Sequence, residues 1–311
     1  MIHPYSRKLD NTDLIEHFLS TVLRYENSND TKLLNKIRSG EAELKNYDDT
    51  SSTLSSTSNR DRKFTSNADR WNLRKLIVKE LSEQQREADD ENICLGKGGS
   101  LPNSEIKSDK QAYIIIGLPA SGKSGIADKI ADTYGAIILD SDYAKRKLPE
   151  FKDNPAGASL VHEESDILIF GYEKNDKPDD YKSLFEICSS NSFNIVIPKI
   201  GHDYKSVNNL AKGLQIFGYT THLILVSLDR RKATKRAVNR FINTGRYVPL
   251  SLIFDGYGND PILSFYRLKD TILIEKSFID TYGKFSTDVE KGANPVIVFA
   301  DKNSPIKDLY I

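Results

Sequence analysis

The chain has 311 residues, 38% hydrophobic and 28% charged, and its 44 basic side chains are matched by 44 acidic ones. That length suggests two domains of ordinary size; balanced charge argues neither for nor against a polyanionic partner, and with no basic run longer than Arg230-Arg231-Lys232 no nucleic-acid partner is expected. No stretch approaches the ~20 apolar residues of a membrane span, the start Met1–Arg7 lacks an apolar signal core, and Cys94 and Cys188 lack metal-ligand spacing and read as reduced thiols, so a cytoplasmic protein is expected.

Residues 1–92 read as a polar helical accessory domain. Leu14, Ile15, Phe18, Leu19, Val22 and Leu23 recur at helical period behind a cap at Asn11 or Thr12. A second helix is expected from Thr31 to about Lys45, with Leu33, Leu34, Ile37 and Leu44 as its apolar members. Residues 48–59, dominated by Ser, Thr and Asp, have little to bury and read as a loop or linker. A third helix is expected from about Asn67 to Asp90, with Trp71, Leu76, Ile77 and Leu81 on one side. The glycine-rich stretch Gly96–Pro102 punctuates a connector over 93–110. No carboxylate pair or histidine cluster in these 92 residues points to chemistry.

From 111 to 311 short apolar runs rich in Ile and Val alternate with amphipathic stretches. Expected strands are Ala112–Ile116, Ala136–Asp140, Phe193–Pro198, His222–Leu228 and Pro295–Phe299. Runs of this kind suit strands buried on both faces of a parallel sheet, so the fold expected is α/β, a P-loop kinase-like parallel sheet sandwiched by helices and preceded by a small all-α domain.

Gly117-Leu118-Pro119-Ala120-Ser121-Gly122-Lys123-Ser124 fits G-x-x-x-x-G-K-[ST], with an apolar strand leading in and a helical stretch leading out. Backbone N–H groups of such a loop and the following helix N-terminus cradle phosphates. Lys123 is expected on the β- and γ-phosphates of ATP, with GTP left open, and the Ser124 hydroxyl on Mg²⁺. There is no Asn-Lys-x-Asp guanine signature and no apolar strand ending in an Asp-Glu pair, which separates the chain from GTPase switches and motor ATPases.

Asp140-Ser141-Asp142 closes the expected second strand, and strand carboxyl ends are where open α/β sheets bind ligands. A carboxylate there can take or position an acceptor hydroxyl proton; Asp142 is the expected base and Asp140 the structural or metal-side partner. Arg240 on an expected helix Arg231–Asn243, and Arg246 on the turn after it, read either as part of a solvated basic helix face with Arg230, Arg231, Lys232, Lys235 and Arg236 or as groups that bind the equatorial oxygens of a transferring phosphoryl group.

The segment Asp140–Phe151 matches D-x-D-x-x-K-x-x-x-P-x-[FY] throughout and resembles the zeta toxin family, P-loop kinases that phosphorylate the sugar 3′-hydroxyl of UDP-N-acetylglucosamine. Val161-His162-Glu163-Glu164-Ser165, Asn239-Arg240-Phe241 and Gly245–Pro249 continue the likeness, which spans about 110–300. The resemblance implies Asp142 as base, Arg240 and Arg246 as clamp, and Glu164 on the acceptor. His202 and Asp203, at a strand's carboxyl end, are expected on a sugar or ribose hydroxyl. The resemblance also suggests that the helical segment ahead of the kinase acts as an intramolecular inhibitor, as a separate small antitoxin does in the family; a partner-docking or secretion-related segment is the rival reading. Three departures fall on the acceptor side: Pro198-Lys199-Ile200-Gly201-His202-Asp203 replaces the family's Gly-Thr pair, a further acidic residue after the His-Glu-Glu segment has no clear counterpart, and 171–182 looks like an insertion. NAD, the substrate of some zeta-like effectors, therefore stands beside UDP-N-acetylglucosamine as acceptor. An ATP-dependent binding switch is the alternative from another class.

Overall fold

A computed structural model of the chain describes residues 6–44, 51–152, 157–172, 181–274, 277–290 and 292–310. The helices are α1 (Thr12–His17, continued by a π-helical turn over Phe18–Leu23), α2 (Thr31–Leu44), α3 (Asn67–Glu83), α4 (Lys123–Tyr134), α5 (Ser141–Lys147), α6 (Gly157–Leu160), α7 (His162–Phe170), α8 (Leu184–Ser190), α9 (Tyr204–Ile216), α10 (Arg230–Thr244) and α11 (Asp260–Leu273). The strands are β1 (Gln111–Ile116), β2 (Ala136–Ile138), β3 (Asn194–Lys199), β4 (Thr220–Ser227), β5 (Thr281–Ser286) and β6 (Val296–Ala300). Among these residues the strands form one six-stranded sheet in the order β2-β3-β1-β4-β5-β6. Every pairing is parallel except β5 with β6. The expected α/β fold with a parallel sheet is what forms, and no helix among the described residues is long and apolar enough to cross a membrane.

Central strands β1, β3 and β4 carry the apolar runs that made them legible, and Ala112–Ile116, Ile195–Ile197 and Leu223–Val226 are buried. Strand β5 went unread because Thr281-Tyr-Gly-Lys-Phe-Ser alternates instead of running apolar; Thr281, Gly283 and Phe285 face inward and the residues between them do not. The last expected strand forms as an antiparallel edge, not a buried parallel strand, and leaves Val296 and Val298 half exposed. Edge strands are covered on one side only, which suits an alternating pattern.

The first 92 residues depart from the expected pattern in three ways. Helix α3 ends at Glu83, not at Asp90, and the chain then doubles back so that Arg86 N–H donates to the Leu101 carbonyl (3.0 Å). Its buried side is Arg70, Leu73, Arg74, Ile77, Val78 and Leu81, whereas Leu76 is exposed and Trp71 half-buried. Within the expected linker, Ser52 and Thr53 are buried and Thr53 N–H donates to the Leu160 carbonyl (3.0 Å); residues 48–50 lie outside the described residues.

Two hydrophobic cores join these helices to the rest. Leu73, Ile77, Val78, Leu81 and Ile93 share the core of the sheet. Leu9, Ile15, Phe18, Leu19, Leu23, Leu33, Leu34 and Ile37 share a second core with Leu118, Ala237, Phe241, Tyr247 and Phe254. The glycine-rich stretch turns tightly between Cys94 and Lys97, whose carbonyls accept from the buried Lys147 ammonium at 3.0 and 3.2 Å, with Glu80 at 2.7 Å as its counterion.

Candidate active site

The loop between β1 and α4 is shaped by close approach. A Cβ at Gly117 would stand 2.5 Å from the Val226 carbonyl oxygen, and Gly117 N–H donates to the Ile200 carbonyl (3.0 Å). Gly122 adopts φ +91°, a left-handed conformation that side chains resist, and opens α4 directly at Lys123. The Lys123 ammonium donates to the carbonyls of Gly117 (2.8 Å) and Leu118 (2.7 Å), folded over its own loop. Burial lowers its pKa to about 8, against the pull of Asp140 and Asp142.

Asp140 caps α5, its carboxylate accepting from Asp142 N–H at 2.9 Å. Burial, then the charge of Asp142, pushes its pKa up to about 6. Asp142, in the first turn of α5, lines the same cavity as the phosphate loop. Its Oδ1 accepts from Lys145 Nζ (3.1 Å) and its Oδ2 from Arg246. Burial pushes this carboxyl up, but Arg246 and Lys145 outweigh burial and hold it well below the usual carboxylate range.

Arg240 and Arg246 sit at the end of α10 and just past its left-handed cap at Gly245. Burial, then the neighbouring Arg246 charge, lowers the Arg240 guanidinium to about 10, and its buried Nε has no hydrogen-bond partner among the described residues. A buried donor without a partner is costly unless a ligand supplies an acceptor. Helix α2 and the connection before it hold this segment: Tyr25 Oη donates to Asn239 (2.7 Å), Lys36 Nζ to the Phe241 carbonyl (3.2 Å), and Tyr247 Oη to Glu41.

One cavity of about 1520 Å³ is lined by Lys123, Ser124, Asp140, Asp142, Arg240 and Arg246, and it extends past His202 and Asp203 to Tyr257. The structure thus brings together the phosphate loop, the acidic pair and both arginines. His202 lies 5.2 Å from Tyr257, ring to ring. Asp203 reaches the cavity but is engaged as the cap of α9, accepting from Lys205 and Ser206 N–H at 3.0 and 3.2 Å. Glu164 corrects the expectation of an acceptor contact. It is fully buried away from the cavity, where its carboxylate binds Arg70 (2.5 and 2.7 Å), Arg74 (2.7 Å) and Thr53 Oγ1 (2.5 Å). Its neighbour Glu163 lines the cavity instead. The insertion expected over 171–182 falls mostly at 173–180, outside the described residues.

Sequence reading missed the acidic turn Asp89-Asp90-Glu91, which lines the cavity. Asp90 accepts from Tyr143 Oη (2.9 Å) and lies near Ser124. Glu91 pairs with Arg146 (2.6 Å) and lies 3.7 Å from Arg246. The signal was three successive acids, masked because they were assigned to the end of a longer helix. Lys199 also lines the cavity and carried no assigned role.

A family model described as Zeta toxin matches residues 100–259. A comparison with curated proteins gave no match. Among solved structures, one from a study of the PezAT chromosomal toxin–antitoxin system of Streptococcus pneumoniae aligns at 14% identity and TM-score 0.48, over 65% of this chain and 76% of that one. The AvrRxo1-ORF1:AvrRxo1-ORF2 structure with sulphate ions aligns at 16% identity and TM-score 0.46, over 75% of this chain and 64% of that one. The same pair solved with ATP aligns at 15% and 0.46, over 79% and 70%.

Proposed function

The chain belongs to the zeta toxin family, and on that premise we propose that it transfers the γ-phosphoryl group of ATP to the sugar 3′-hydroxyl of UDP-N-acetylglucosamine, depriving cell-wall synthesis of a precursor. The observation that carries the reading is the single cavity in which Lys123, Asp142, Arg240 and Arg246 converge. Phosphoryl transfer passes through a loose transition state that asks for positioning and charge stabilisation more than covalent chemistry. The acceptor oxygen forms a bond to the γ-phosphorus while the bond to the β–γ bridging oxygen breaks. The hydroxyl proton goes to Asp142.

Each side chain has a task in that step. Lys123 leaves its loop carbonyls for the β- and γ-phosphates. Arg240, with an unpartnered Nε, binds an equatorial oxygen. Arg246 exchanges Asp142 for the γ-phosphate, and that exchange frees the carboxylate to receive the hydroxyl proton. Oxygen donors suit Mg²⁺ here: Ser124 Oγ, with Asp90 and Asp140 on the same cavity wall, two carboxyls that burial pushes upward. A bound Mg²⁺ would screen the phosphate charge.

The N-terminal segment fits a regulatory role at this site, with Glu91 occupying Arg146 and approaching Arg246 as a phosphate oxygen would. The test of the main reading is an acceptor screen by mass spectrometry, using the full chain with Mg²⁺-ATP against UDP-N-acetylglucosamine, related nucleotide sugars and NAD. Gain of one phosphoryl group on UDP-N-acetylglucosamine, lost in Asp142→Asn, is the expected result. Gain on NAD keeps the mechanism and moves the acceptor. ATP binding with no phosphorylated product replaces the kinase by a nucleotide-dependent switch.

A further inference from the structure

Lys199 is the last residue of β3 and pairs in register with Ile116, the residue before the phosphate loop. Neighbouring strands lie about 4.8 Å apart, so its ammonium stands one strand over from the loop, on the side of β2 and Asp142. It lines the cavity, with Nζ 4.1 Å from the centre of the Phe170 ring. No hydrogen bond or ion pair reaches it among the described residues; its electrostatic neighbours are Asp166, Asp140 and Asp142, opposed by Lys145.

Each of those carboxylates is engaged elsewhere. Asp166 accepts from Ser141 Oγ, Asp140 caps α5, and Asp142 is held by Lys145 and Arg246. Lys199 is half-buried; withdrawing an ammonium from water without an ion pair of its own is unfavourable, and the aromatic face beneath it compensates only in part. What completes such a site is an anion from the ligand. The phosphate loop has its own cation in Lys123, whereas the space between the ends of β2 and β3 has Lys199, flanked by His162 and His202 on the cavity wall.

We infer that Lys199 is the anion anchor of the acceptor, binding a phosphate or diphosphate group of the metabolite whose hydroxyl is presented to Asp142. The acceptor is therefore a phosphorylated compound, and Lys199 selects it over the neutral sugar. A lysine acts here as a point charge on a phosphate oxygen, so its loss weakens acceptor binding and leaves the triphosphate side untouched. This rests on the kinase reading of the cavity.

The experiment is calorimetric titration of the full chain, saturated with Mg²⁺ and a non-hydrolysable ATP analogue, with UDP-N-acetylglucosamine, NAD and inorganic pyrophosphate. At least one of the three binds wild type, Lys199→Met weakens it by about tenfold or more, the scale of a hydrogen bond to a charged group, and Lys199→Arg restores much of the loss. Affinity for the ATP analogue is the same in all three proteins. Equal binding of the diphosphate by wild type and Lys199→Met, or no binding by wild type, overturns the inference. So does a loss confined to the ATP analogue, which assigns the lysine to the γ-phosphate. If wild type fails to bind the analogue, the ATP reading itself falls. Lys199 is then judged by pyrophosphate binding to Lys123→Met against Lys123→Met/Lys199→Met, where equal affinities refute it.

Discussion

Arg246 donates to Asp142 Oδ2 across 104 residues of sequence, so the guanidinium and the carboxylate proposed as base neutralise each other on the cavity wall. A carboxylate held this way stays ionised but is a poor proton acceptor. In the mechanism proposed above, release of Arg246 to a γ-phosphate couples arrival of the donor to activation of the base.

Replacing Arg246 by Ala is expected to lower kcat by about 10³-fold or more, the scale of an arginine that stabilises phosphoryl transfer. It also moves the acid limb of the pH–rate profile upward. Burial pushes Asp142 up and Arg246 is the largest force holding it down; without Arg246 the carboxyl protonates at a higher pH, and activity is lost sooner as pH falls. An acid limb that stays where wild type has it would separate Arg246 from the base.

ATP affinity should depend on pH through Lys123, whose pKa is lowered to about 8 in the free protein. Below that value the ammonium is charged and the dissociation constant is flat. Above it, affinity falls as the amine loses its proton, by up to about tenfold per pH unit until the pKa of the bound state is reached. Lys123→Met binds weakly at every pH and lacks this dependence, which fluorescence titration between pH 6.5 and 9.5 as ~tenfold steps would resolve.

Glu91→Gln is expected to tighten ATP binding by roughly threefold, the scale of one half-exposed ion pair, because Arg146 and Arg246 are released for phosphate. Weaker ATP binding would make Glu91 a positioning residue and remove the inhibitory reading. A point variant is the sound probe, since Arg70, Leu73 and Ile77 lie in the shared interior and deletion of 1–92 would expose it.

Glu164 is a stability residue. Removing its charge takes from Arg70 and Arg74 the buried counterion they share, while Glu150 stays on Arg70 at 2.7 Å, and Glu164→Gln should cost about 3 kcal/mol in denaturant unfolding at neutral pH. Burial raises this carboxyl, yet Arg70 and Arg74 outweigh burial and hold it at about 2, below the ~4.3 of an unfolded glutamate. The stabilisation is therefore present above about pH 4.3 and is lost as pH falls towards 2. Wild type should lose stability over that window, and Glu164→Gln should lose less.

The sequence by itself determined the phosphate loop, the acidic pair and the central strands, because each rests on local periodicity or fixed spacing, whereas the two arginines were singled out only by the family resemblance. Gly122 at positive φ and the apolar run of β1 mean the same thing wherever they occur. Tertiary structure decided what depends on partners distant in the chain. Glu163 and Glu164 are adjacent acids, yet one faces the cavity and the other is sealed against Arg70 and Arg74, 94 and 90 residues away. The turn Asp89–Glu91 reached the phosphate site only because α3 stops at Glu83 and reverses, and β5 was visible only once β4 supplied its neighbour. Charge pairing and sheet closure act through space, and a linear pattern carries no record of which surfaces will meet.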